Sequence, residues 1–216
     1  MTFLLLATAF DCCQVALWRD DTLISDISLV GEARHDVALA PLVANLLKDQ
    51  NLSVKDLSGI AVVTGPGRFT SLRVGISFAR ALVLPYRTTL YGIPTGLVLQ
   101  DYIRAEHAGW QNPAWLVAVK RGEIFVQNAA MPQPVAIPLE ELAGWLQTYN
   151  IDGVVAIGAG ITPEWQDQIP SGLCPVYLQE LPLHHLGQAA GMVAVTQPAE
   201  QMVVRPFYGT STGVAA

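Results

Sequence analysis

The sequence predicts an α/β protein of two similar lobes, each a mixed sheet flanked by helices, with the second lobe reduced. Three observations lead there. The chain opens with three consecutive strand-like segments; apolar segments then alternate between helical and strand periodicity; and the second half follows nearly the same order of elements without repeating the residues.

Residues 3–8, 12–18 and 22–29 are apolar or β-branched runs separated by turn formers at Thr8–Asp11 and Arg19–Asp21, which reads as an antiparallel meander. A helix is predicted over 35–48, with Leu39, Leu42, Val43, Leu46 and Leu47 on one stripe. A buried strand at 60–63, a helix at 70–84 and a strand near 88–91 complete the first unit. In the second, Trp115–Val119 and Glu123–Ala130 flank Lys120-Arg121-Gly122 as a hairpin, and a strand near Val135 precedes a helix at 139–149. Val154–Ile157 and Pro175–Leu178 follow as strands, and His185–Thr196 as a last helix. The polar segment Asp101–Pro113, with Gly109 and Pro113, is the expected boundary, giving an N-terminal lobe at 1–104 and a smaller one at 105–216. A three-strand-plus-helix unit used twice is the plan of the actin-like (RNase H-like) fold.

Composition narrows function. Of 216 residues, 51% are hydrophobic and 14% charged, so the chain can bury a core and hide further surface against a partner. A formal net charge of −6 with no basic run opposes unaided binding to a polyanion. Phe3–Phe10 is apolar but lacks a positive flank and has Asp11 before Cys12, so it reads as a core strand and not a targeting signal. No segment has the length of a membrane span. Cys12, Cys13 and Cys174 show no metal-ligand spacing, and a reducing cytoplasm fits them.

The most informative stretch is 62–73, an apolar strand leading through Gly65-Pro66-Gly67 into a helix. Its glycines permit positive φ or close backbone approach, and Thr70 or Ser71 is expected to cap the helix, whose free N–H groups form an anion site. The phosphate-loop Gly-Lys-Ser/Thr is missing. Ligand binding and a simple structural turn are both open at this level. The helix that follows is apolar nearly all round, with Arg73, Ser77 and Arg80 as its polar residues, so it is expected to bury more than one side.

Gly65-Pro66-Gly67-Arg68-Phe69-Thr70-Ser71-Leu72-Arg73-Val74-Gly75 resembles the signature Gly-Pro-Gly-Ser-Phe-Thr-Gly-Leu-Arg-Ile-Gly of the bacterial TsaB (YeaZ) family. Arg34-His35-Asp36 through Pro41-Leu42 resembles the family's first helix, and Lys120-Arg121-Gly122-Glu123-Ile124-Phe125 its Arg-Arg-Gly-Glu-Val-Tyr hairpin. The likeness runs from residue 3 to about residue 126 and weakens beyond, where Arg205 echoes a terminal Tyr-Leu-Arg. It implies a non-catalytic partner of the paralogous threonylcarbamoyl transferase TsaD. With the ATPase TsaE, that enzyme makes threonylcarbamoyladenosine beside the tRNA anticodon. The implied contact surface is the helix pair at 35–48 and 70–84, through Ala38, Leu39, Leu42, Leu46, Leu72, Ile76, Ala79, Arg80 and Val83, and the same surface can form homodimers. tRNA would be reached only through the complex.

The resemblance also tests the enzyme alternative, a metal-dependent hydrolase or small-molecule kinase of the same superfold. The metal-binding His-x-x-x-His of the paralogue falls on Ile93 and Leu97, the first-turn Asp-Thr-Ser on Ala7-Thr8-Ala9, and a further acid on Ala118. None of these side chains ligates a metal, so neither metal nor cofactor is expected. Asp11 reads as a turn former that could stand in for the missing acid. The pair His184-His185 points apart on a helix. Gly158-Ala159-Gly160 reads as a loop, and Glu123 as a partner of Lys120 or Arg121. A homodimeric regulator unrelated to tRNA is a third reading.

Overall fold

Two runs of strands become two sheets. The computed structural model describes residues 1–31, 34–86, 88–120, 122–158, 161, 163–196, 204–207 and 210–211. In the first sheet, β1 (Thr2–Ala7), β2 (Cys13–Arg19) and β3 (Thr22–Leu29) form the expected antiparallel meander. β4 (Gly59–Gly65) then pairs in parallel with β1, and β5 (Thr89–Pro94) in parallel with β4, giving the order β3-β2-β1-β4-β5. The second sheet repeats the scheme. β6 (Pro113–Lys120), β7 (Glu123–Asn128) and β8 (Val135–Pro138) are antiparallel neighbours, and β9 (Gly153–Ile157) and β10 (Val176–Leu178) extend β6 in parallel. A short β11 (Thr210–Ser211) adds to β8, for the order β10-β9-β6-β7-β8-β11.

Alternation along the strands assigns each face a partner. Leu4, Leu6, Val15, Leu17, Ile60 and Val62 point to one side of the first sheet, under α1 (His35–Asp49) and α2 (Phe69–Val83). Phe3, Leu5, Trp18, Ala61, Val63 and Ile93 point to the other, where α3 (Thr95–Glu106) and α6 (Leu183–Thr196) separate them from Trp115, Val117 and Val155 of the second sheet. The far face of that sheet packs Leu116, Val126 and Val154 on α4 (Leu142–Thr148) and on Trp165 of α5 (Pro163–Gln166). Five layers result: helices, sheet, helices, sheet, helices.

Helix α3 corrects the sequence reading. Asp101–Pro113, expected as the boundary, begins inside it, because Asp101, Arg104 and Glu106 form the polar side of a helix whose Val98, Leu99 and Ile103 are buried. The helix expected over 139–149 opens as a 3-10 turn at Leu139–Glu141 and becomes α-helical at Leu142. Although α6 follows the second sheet in sequence, it lies on the first. Trp18, 1% exposed, packs over Gly187, where a Cβ would come within 2.2 Å of its ring, and His185 Nδ1 lies 2.8 Å from Asp101 Oδ2 of α3. His184 turns away toward the edge of Trp18.

Gly187 and Gly191 make a test within one helix, since nothing lies within 4 Å of a Cβ at Gly191. Gly187→Ala is expected to lower stability by about 1–3 kcal/mol through overpacking. Gly191→Ala should be neutral or stabilising by up to about 1 kcal/mol. Urea unfolding midpoints of the two variants check this.

Candidate functional site

The site is built where β4 ends. Every residue of β4 is buried, and its last, Gly65, has φ +111°, a conformation that favours glycine. Pro66 carbonyl accepts a 2.8 Å hydrogen bond from Thr95 Oγ1 at the start of α3, so the turn is held from below. From the side it is held by the turn between β1 and β2. A Cβ at Gly67 would meet Ala9 Cβ and Ala9 O, each at 2.7 Å, and Arg68 N–H donates to the Ala9 carbonyl at 2.7 Å. One turn further along α2, a Cβ at Gly75 would lie 2.3 Å from Thr8 Oγ1, which donates to Ser71 O at 2.8 Å. The Asp11 carboxylate closes the contact by pairing with the Arg68 guanidinium. Gly67 and Gly75 of the motif therefore admit a second turn of the chain.

This seating explains a departure from the sequence reading. Thr70 or Ser71 was expected to cap α2, whereas Arg68 is the cap residue and makes no side-chain cap bond. With Arg68 N–H fixed on Ala9, helical geometry starts at Phe69, and Ser71 lies buried in the first turn against Thr8. Of the other motif residues, Leu72 is fully buried, Thr70 is exposed, and Phe69, 51% exposed, carries the Arg73 guanidinium 4.0 Å above its ring.

The positions onto which the family resemblance places the paralogue's acids and metal ligands hold apolar groups here. Ala7, Ala9 and Ala118 are buried. Ile93 is buried in β5 and Leu97 lies on α3, so the two do not share one helix face as an i,i+4 pair must. The i,i+4 pair at the start of α3 is Thr95 and Leu99; the first has its hydroxyl on Pro66 and the second is aliphatic. Among the described residues, no three His, Cys, Asp or Glu side chains cluster as metal ligands. Burial pushes the Cys12 thiol up to about 12, with Glu180 adding to it, and the Cys13 thiol up to about 11, so neither is a thiolate nucleophile near neutrality. Arg121, Ala159 and Gly160, named above in the hairpin and loop, lie outside the described residues.

Beside the turn lies a cleft of about 770 Å³ between the starts of α1 and α2 and the β6–β7 hairpin. Its cations carry internal counter-ions: Arg34 pairs with Asp36 at 2.9 Å, Lys120 with Glu123 at 3.0 Å, and Arg68 with Asp11. His35 at its edge is 7% exposed and, among the described residues, its Nε2 has no hydrogen-bond partner. Burial holds this imidazole below the ordinary histidine value, Asp36 opposing the shift.

The implied contact residues divide sharply by exposure. Leu39, Leu46, Leu72, Ile76 and Ala79 are at most 2% exposed, spent on the chain's own core, and offer nothing to a partner. The sheet takes that side of each helix because the i,i+3/i+4 stripe is where side chains meet it. Arg80, exposed, gives its guanidinium to the Val204 carbonyl. What remains reachable is a strip of half-buried Ala38, Leu42, Val74, Phe78, Leu82 and Val83 along the α1–α2 contact, with Val37 59% exposed beside it. Sequence periodicity could not separate the two groups, since both are apolar.

Known proteins resemble this chain in sequence and in architecture. The family model for TsaD, tRNA N6-adenosine threonylcarbamoyltransferase, matches residues 29–128. The tRNA threonylcarbamoyladenosine biosynthesis protein TsaB of Escherichia coli (strain K12) is 34% identical over 95 residues, 44% of this chain and 41% of that protein. The TsaB of Bacillus subtilis (strain 168) is 37% identical over 152 residues, 68% of this chain and 65% of its own length. The chain is similar to the TsaB proteins over part of its length. Its matches span from under half to about two thirds of these curated TsaB sequences. The fold extends further: YeaZ from Pseudomonas aeruginosa superposes with a TM-score of 0.74 over 96% of this chain and 99% of that one, at 21% identity.

His35 yields a pH prediction. Its folded value is lowered, so its contribution is full above the ordinary value of 6.5 and is lost as pH falls through 6.5 toward the folded value. Chemical denaturation between pH 7.5 and 5 should show stability falling in the parent chain. In His35→Leu the fall should be flatter, with little loss at pH 7.5, because no hydrogen bond of Nε2 is forfeited.

Proposed function

We propose that this chain is a non-catalytic activating subunit for threonylcarbamoyl transfer to the adenosine next to the anticodon in tRNA. It docks through α1 and α2 on a TsaD-type transferase, with a TsaE-type ATPase as further partner. The observation that carries this reading is the apolar strip along the α1–α2 contact, which the chain's own core leaves half covered. Such a strip suits helix-on-helix packing against a similar pair. A second copy of this chain presents the same pair, so a homodimer competes for the same face.

Three further points support the subunit reading over a hydrolase or kinase. The relatives' names place them in threonylcarbamoyladenosine biosynthesis. Ala7 and Ala118 stand where the enzyme alternative needs acids. The acidic balance disfavours holding tRNA alone, so tRNA is reached through the assembly. We place the lobe division at the end of α3, just past the 104/105 that the sequence suggests, with the first sheet and the docking helices before it and the second sheet after it. A reducing cytoplasm suits the free Cys12, Cys13 and Cys174. Among the described residues, no helix is long and apolar enough to cross a membrane.

Leu42→Glu and Phe78→Glu test the docking face without emptying the core. Each is expected to weaken co-purification with the transferase by at least about tenfold, roughly 1.4 kcal/mol, as a charge is buried in an apolar contact. Unfolding midpoints should stay close to the parent's. Unchanged complex formation and unchanged tRNA modification in both variants would remove this face from the interface. Glutamate at Ile76 or Ala79 is no such test, because both are core positions.

A further inference from the structure

The segment Val204–Phe207 lies across the carboxyl ends of β4 and β5. Phe207 N–H donates to the Thr64 carbonyl at 2.7 Å, and Phe207 O would lie 3.1 Å from a Cβ on Gly65. Val204 is 5% exposed, and its methyl groups would lie 3.2 and 3.3 Å from a Cβ on Gly92, so this strand glycine leaves the room that Val204 fills. The Val204 carbonyl accepts from the Arg80 guanidinium of α2. On its other side, the Phe207 ring meets Phe125 of β7 edge-on at 6.2 Å. Thr210 and Ser211 then pair in parallel with Val135 and Ala136 of β8. One short segment is thus bonded to both sheets.

Its place is the one where open α/β sheets take ligands, outside the carboxyl ends of parallel strands. Two clefts lie there, of about 770 and about 640 Å³, and Phe207 is a wall of both.

We propose that the groove formed by Thr64, Gly65, Gly92, Arg80 and Phe125 is a peptide-binding site filled in cis by Val204–Phe207, which acts as a clasp between the two sheets and divides one crevice into two clefts. One backbone bond, from the Phe207 N–H to Thr64, and the Arg80 side chain on the Val204 carbonyl hold the segment, and side-chain pockets choose it. Val204 fills the space over Gly92 and Phe207 the space against Phe125. Pro206 has no N–H to satisfy, so the Phe207 amide is the donor to β4. Arg80 belongs to this clasp and not to the partner contacts implied by the family resemblance. That the clasp also steadies a docking helix rests on the proposed function; the clasp itself does not.

Amide hydrogen exchange of the full chain, followed by mass spectrometry without any partner, tests this. In the parent chain the Phe207 amide should exchange at least about a hundredfold more slowly than an unstructured amide. In Phe207→Ala, peptides covering 64–72 and 204–207 should exchange about tenfold faster together, while β9 and α4 keep their protection. Val204→Ser is the milder variant should Phe207→Ala not fold, and the parent measurement stands without either. A Phe207 amide that exchanges at the unstructured rate overturns the clasp, as does a response confined to 204–207. Unchanged exchange in both variants overturns the clasp as well, whereas the expected exchange together with unchanged complex formation in Leu42→Glu and Phe78→Glu would count against the docking face alone.

Discussion

Thr8 and Ala9 press on the start of α2 so closely that neither Gly67 nor Gly75 has room for a side chain, and much of the molecule is positioned by that contact. The turn between β1 and β2 fixes Arg68 through its N–H and, through Asp11, its guanidinium. Arg68 sets where α2 begins. The register of α2 then decides that Leu72, Ile76 and Ala79 enter the core, leaving Val74, Phe78 and Leu82 half covered beside α1. Each buried aliphatic side chain contributes about 1.5–3 kcal/mol, enough to hold one face of α2 down and present another.

Much of this order was legible in the residues. Apolar and β-branched runs bounded by turn formers mark the strands, and the meander followed by helix–strand units, used twice, is the topology found. Helix α3 escaped because Asp101, Arg104 and Glu106 look like a linker when read by composition; Val98, Leu99 and Ile103 carry the helical period. The motif was legible as a strand-to-helix turn, but what occupies it was not. Glycine spacing reports that something comes close, and an apposed turn 63 residues away along the chain leaves the same mark as a phosphate. Likewise, an all-apolar helix announces burial on several sides without saying which neighbour covers which. The pairing of Val204 and Phe207 with β4, α2 and β7 has no local signal, because it is carried by backbone atoms and by space over Gly92.

Electrostatics points the same way as packing. Arg34, Arg68 and Lys120 line the larger cleft with a carboxylate on each, and Ala7 and Ala118, the positions where the family resemblance implies acids in the enzymes, are buried. Apolar burial keeps Cys12 and Cys13 protonated and His35 neutral near pH 7. The reachable apolar strip lies on the α1–α2 pair, and it is on this strip that the proposed function rests.

A double-mutant cycle on Thr8 and Gly75 tests the central contact most directly. Gly75→Ala in the parent chain should cost about 1–3 kcal/mol, since its Cβ collides with Thr8 Oγ1. In a Thr8→Ala background the hydroxyl is gone, and the same substitution should cost at least about 1 kcal/mol less by urea denaturation. Additive losses in the two single variants would contradict the seating of the β1–β2 turn on α2.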